Sequence, residues 1–161
     1  MKKYIFLILI TLSSLSYGQS RSDTESFIEE QITAFPQRDG NGNSNKNSMS
    51  FEKNASEEHL FIYHKYTRPI EQWNSQSFPL KQVKSIVLDK TSTKDTFTIV
   101  VNLKPNSGAW QQREGEEKND VDQVTISISS AAAAYDYAER IVVAMEHLVA
   151  LSGGVMIKEQ H

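Results

Sequence analysis

His59 and His64 are the first side chains in this 161-residue chain that could share a metal ion. Their odd separation on a regular strand puts them on opposite faces, so chelation needs a bulge between them. His147 falls on the polar side of a helical pattern and His161 is the last residue, so neither completes a ligand set. Glu57 and Glu58 precede His59 and read as solvated hairpin residues. Glu114, Glu116, Glu117, Asp120 and Asp122 form an acidic run around Lys118, whose ordinary role is a solvated loop. Weak divalent-ion binding is the sharper alternative there. Asp39, Asn41 and Asn43 occupy positions 1, 3 and 5 of an EF-hand-like loop, but Ser44 and Ser50 stand where its glycine and bidentate glutamate belong.

The absence of cysteine excludes thiolate metal sites, a cysteine nucleophile, disulfides and a lipidated cysteine. G-x-S-x-G, H-E-x-x-H, P-loop and dinucleotide patterns are missing as well. A Ser-His-Asp triad is recognised by geometry, and no residue is singled out for one. Trp73, Trp110, Tyr63, Tyr66 and Phe78 could line a pocket, although aromatic residues in strands ordinarily pack against the sheet or core. No catalytic, cofactor-binding or metal residue is therefore assigned, and no cofactor is expected.

The element around which these residues must be arranged is a helix over residues 130–152. Ala138, Ile141, Val142, Met145, Leu148 and Val149 recur at three- and four-residue steps, which places them on one face. Asp136, Glu139, Arg140, Glu146 and His147 fall mostly opposite, with Asp136 four residues before Arg140. Ser129 or Ser130 is the expected cap, and Gly153 supplies the residue that can take positive φ at the end. Such a stripe needs a surface to cover.

At the other end, residues 1–18 read as a secretory signal peptide. Lys2 and Lys3 lead an apolar run, and Ser16 and Gly18 are small residues placed for cleavage before Gln19. The run is too short to span a bilayer. The expected product is a soluble exported domain, periplasmic or secreted, with no membrane span or lipid anchor. Of 17 basic residues, 15 remain once Lys2 and Lys3 are gone, against 20 acidic ones, a mature charge of about −5 that gives no attraction to nucleic acid or anionic lipid. Residues 19–48 then hold a short helix and a flexible linker. Ser22 or Asp23 caps the helix, Phe27, Ile28, Ile32 and Phe35 form its stripe, and Pro36 closes it. Residues 37–50 are low in complexity and read as a mobile loop.

From residue 49 the hydrophobic period changes to two. Phe97, Ile99, Val101 and Leu103 alternate with Thr98, Val100 and Asn102, and Val124, Ile126 and Ile128 repeat the pattern. Residues 59–67 and 82–89 complete four strong strands. Residues 49–53, 71–78 and 109–113 bring the count up to seven. Tight turns, including residues 115–120, imply antiparallel pairing. The fold class is α+β: a mainly antiparallel bent sheet closed by a long C-terminal amphipathic helix, with a shorter N-terminal helix. Residues 49–161 form its domain.

This order resembles the pleckstrin-homology (PH/GRAM-like) superfold, in which a C-terminal helix plugs one end of a bent sheet. Residues 78–88, with Phe78, Pro79, Leu80, Val83 and Ile86 to Leu88, are similar to the entry of a middle strand in such domains. Lipid-binding members carry a basic cluster at the first hairpin. Here Glu57 and Glu58 follow Lys53, so the resemblance implies the fold and carries over no functional residue. The expected function is a small, non-catalytic exported binding module for a protein or small amphiphilic ligand. An enzyme of unrecognised type and a structural or envelope-assembly protein are the alternatives.

Overall fold

The computed structural model describes residues 20–37, 46–53, 58–66, 72–91, 95–133 and 136–157. The expected leader, most of the linker and its EF-hand-like stretch, Glu57 and His161 lie outside the described residues. The first helix, α1 (Arg21–Ala34), is capped by Ser20, two residues before the nearer of the expected caps, Ser22. Ser20 makes the better start because it closes a reciprocal pair. Its hydroxyl accepts from the Asp23 amide at 3.1 Å, and the Asp23 carboxylate accepts from the Ser20 amide at 3.2 Å. Ile28 and Ile32 are fully buried, and the helix stops at Phe35, before Pro36.

The described residues form eight strands: β1 (Lys46–Lys53), β2 (Glu58–Tyr66), β3 (Gln72–Pro79), β4 (Val83–Asp89), β5 (Thr96–Leu103), β6 (Trp110–Arg113), β7 (Asn119–Asp120) and β8 (Gln123–Ser129). All pairings are antiparallel, but the strands divide between two sheets rather than forming one. The first has the order β1-β2-β3-β6-β7, and the second has β4-β5-β8. The chain leaves the first sheet through a 3-10 turn, Leu80–Gln82, returns to it at β6 and leaves again at β8. Two expected loop segments are therefore strands. Lys46 to Ser50, read as linker, pairs along β2, and Asn119 and Asp120, read as turn, pair with Gln111 and Trp110. Each is polar enough to mimic a loop, and each is held by a backbone ladder that composition does not reveal.

One core joins both sheets and both helices. Met49, Leu60, Ile62 and Phe78 come from the first sheet, and Ile99, Val101, Val124, Ile126 and Ile128 from the second. The alternation over residues 98–103 of β5 and 123–128 of β8 is the half-covered pattern expected from the sequence, while Phe97, expected on the core face, is only half-buried. At β4 the alternation fails, because a register shift between Val83 and Ser85 turns the strand. Ile86, Val87 and Leu88 are left half-buried.

The C-terminal helix is shorter than its pattern predicts. Ser130–Ala133 form a separate 3-10 turn, Asp136 adopts the left-handed region at φ 56°, and α2 runs Tyr137–Leu151. The alanine-rich segment before Asp136 has helical propensity, but the chain must turn there to lay the apolar stripe on the core. Asp is among the few residues that tolerate that conformation. Ser129 caps no α-helix; its hydroxyl accepts from the Ala131 amide at 3.3 Å. The Arg140 amide donates to the Asp136 carbonyl at 3.0 Å, while its guanidinium lies over the rings of Phe27 (5.1 Å) and Tyr137 (5.3 Å), tying α2 to α1.

The stripe itself is placed as expected: Ala138, Ile141, Met145, Leu148 and Val149 are buried, and Val142 is half-buried. The helix ends in a Schellman motif, with Gly153 at φ 76° and amides of Gly153 and Gly154 donating to Ala150 and Val149 carbonyls at 3.0 and 2.9 Å. A Cβ on Gly154 would meet Val149 Cγ1 at 2.5 Å, so the tail can leave the helix this closely only with glycine there. Among the described residues no helix is long and apolar enough to cross a membrane.

Candidate functional site

Most residues weighed for chemistry do not converge. The register of β2 is unbroken against both neighbours, so no bulge brings positions 59 and 64 onto one face. His59 Nδ1 lies 3.3 Å from the Ser77 hydroxyl, while the side chain of His64 is outside the described residues. His147 is half-buried on α2. Among the described residues, no group of three or more acidic or histidine side chains could hold a metal ion. Glu114, Glu116, Glu117, Asp120 and Asp122 are exposed along the β6–β7 hairpin and the turn after it. Of the aromatic residues weighed for a pocket, Phe78 stands apart from Trp110. Phe78 is buried in the core, whereas Trp110 stands opposite Ser77, the neighbour of Phe78 that points to the other face. The Lys118 ammonium sits 3.9 Å from the Trp110 ring centre. The side chains of Tyr63 and Tyr66 are outside the described residues.

Glu58 is the residue whose reading changes most. It opens β2, but it is not a solvated turn residue. Its carboxylate pairs with Arg21 of α1, lies 3.3 Å from Lys53 Nζ and accepts from the Ser152 hydroxyl at 3.1 Å. Arg21 also holds Glu25 at 2.7 Å. This cluster joins the start of α1, the β1–β2 hairpin and the end of α2, three places far apart in sequence. Burial pushes the Glu58 carboxyl up, but hydrogen bonds from Ser152 and Lys53 and the charges of Arg21 and Lys53 outweigh it and hold the group below the ordinary glutamate range. A cavity of about 350 Å³ adjoins the cluster, lined by Phe51 and His59 and by the charged Arg21, Lys53, Glu25, Glu52 and Glu58. Arg21 and Lys53 are both taken up by Glu25 and Glu58, which makes the cluster a clasp between elements.

The clasp carries a pH signature. Because Glu58 is depressed in the folded chain, the stability it contributes is complete above about pH 4.3 and is lost as pH falls through the folded value. The expected result is a gap in urea midpoint between the parent chain and Glu58→Gln at neutral pH that closes on acidification below about pH 4.3. Glu139, also lowered through its bond from Lys90, is common to both chains and cancels. A gap that stays constant to low pH would show that the clasp does not tune Glu58.

The unmatched surface lies along the tail that follows Ser152. After the Schellman turn the tail runs beside β4, where the Ile157 amide donates to the Lys84 carbonyl at 2.8 Å. Met156 packs against the core, so Val155 and Ile157 point outward, 77% and 60% exposed. They border a groove of about 610 Å³ with Leu103, Pro105, Lys84, Lys104 and Asp122. A second depression of about 680 Å³ adjoins it across Pro105 and Asp122 and is more polar, lined by the Pro105 to Ala109 loop and Asp120 to Gln123. The only other strongly exposed large apolar side chains among the described residues are Val143 (63%) and Leu151 (48%) on α2. The sequence held a signal for this surface: Val143 lies outside the core stripe, and Val155 and Ile157 alternate after the double glycine.

No protein-family model, curated protein or solved structure matches this chain.

Proposed function

We propose that this protein is an exported, non-catalytic binding module that holds an apolar or amphiphilic ligand against its C-terminal helix and tail. One observation carries the reading. All four strongly exposed large hydrophobic side chains among the described residues, Val143, Leu151, Val155 and Ile157, fall in one stretch of 15 residues. Exposed apolar side chains scattered singly need no explanation, whereas four carried by one helix and the tail after it, two of them bordering a groove, support a contact surface. Beneath it the helix stripe is buried in a shared core and the tail is fastened to β4. The leader-like residues 1–18 support export, and the helix following the last strand supports the pleckstrin-homology-like reading of the frame.

Hydroxyl-radical footprinting tests the proposal without knowledge of the ligand. The purified chain and the chain in its native exported fraction are labelled in parallel. Val143, Leu151, Val155 and Ile157 should be protected in the native fraction, with exposed Glu30 and Thr125 labelled equally in both. Equal labelling at all six positions would sink the reading.

A further inference from the structure

We infer that the groove beside the tail takes an anionic single-chain amphiphile, a fatty carboxylate with its acyl chain along Val155 and Ile157 and its headgroup at Lys84 and Lys104. The inference rests on the binding-module reading above and names the ligand class of the same surface. Its floor and walls are the apolar side chains of Leu103, Pro105, Val155 and Ile157. Its volume of about 610 Å³ falls within the range of small-molecule sites. Two cations and one acid line it, so the groove carries an excess of one positive charge on a chain that is acidic overall.

The two lysines are differently held. Lys104 follows β5 and its ammonium donates to the Lys81 carbonyl at 3.3 Å, which positions the charge while leaving two further N–H donors. Lys84 is an exposed residue of β4 whose carbonyl fastens Ile157, so the cation and the apolar wall come from one point of contact. Asp122 offsets one of the two lysine charges, and the net single positive charge matches one carboxylate. A neutral alkyl ligand would leave this charge unused, and a cationic one would be rejected by two lysines against one aspartate.

The experiment is isothermal titration of the mature chain with dodecanoate below its micelle concentration, beside dodecyl maltoside and dodecyltrimethylammonium. One dodecanoate per chain should bind, with the other two at least about tenfold weaker. The double variant Lys84→Glu/Lys104→Glu should weaken dodecanoate binding by about tenfold or more, and so should Val155→Ser/Ile157→Ser. Arg113→Glu/Lys118→Glu makes the same change in net charge on residues that do not line the groove and should leave binding unchanged. Thermal melts confirm that each variant is folded. Equal affinity for dodecyl maltoside, insensitivity to the lysine pair, or no saturable binding overturns the inference. Footprint protection that persists without dodecanoate binding would overturn the ligand class alone and leave the binding-module reading standing, with a protein segment as the occupant.

Discussion

Replacing Met145 with aspartate should cost the fold about 3 kcal/mol or more, while Glu139→Ala on the same helix should cost about 0.5 kcal/mol. Met145 is 1% exposed at the centre of the α2 stripe, one turn from Ile141 on one side and from Leu148 and Val149 on the other. An aspartate there either buries an unpaired charge or takes up a proton, and in both cases the thioether packing is lost. That is a large part of the 5–15 kcal/mol by which a domain of this size is typically stable. Glu139 is bonded to Lys90, but both partners are nearly half exposed, so solvent screens the pair. Urea denaturation of both variants measures the difference. Equal midpoints would mean that α2 is not docked by this face.

Gln76→Met should cost about 1–3 kcal/mol, although the substitution nearly preserves volume and adds apolar character at a buried position. Gln76 is 3% exposed on β3, in the first sheet, yet its amide serves the second. Its Nε2 donates to the Thr125 carbonyl at 3.2 Å, and its Oε1 accepts from the Thr125 amide at 3.4 Å. These bonds complete the edge of β8, which has no strand partner at that point. Further along the same edge, the Phe35 carbonyl accepts from the Ser129 amide at 3.0 Å. A side chain and a helix-terminal loop thus do what another strand would do, and the part-buried edge is satisfied without merging the two sheets. Methionine would fill the space and leave both Thr125 groups unpaired. Hydrogen exchange gives an independent reading: the Thr125 amide should lose protection in the variant while Ile126, bonded to β5, keeps its own. An unchanged midpoint with unchanged Thr125 protection would show that water replaces the amide at no cost.

The helix stripe, the alternation in β5 and β8, the closing glycines and the α+β class were legible in the residues because each is a local periodicity or a local backbone preference. Five of the six stripe positions are buried for the reason the spacing implies, namely that one helix face must leave water. The helix start was not legible, because the turn at Asp136 is imposed by the direction in which β8 delivers the chain. Partner choice was not legible either. Alternation says which side of a strand is apolar, but nothing about whether β3 will pair with β4 or with β6. The division into two sheets and the Gln76 bridge followed from that choice. Glu58 shows the limit most directly: beside Glu57 it reads as a solvated turn residue, and only the meeting of Arg21, Lys53 and Ser152 makes it an anchor. The same holds for the groove. Val155, Ile157 and Lys84 were visible as residue types, but their convergence depends on the tail lying beside β4, a contact between segments about 70 residues apart in the chain that only the packed molecule decides.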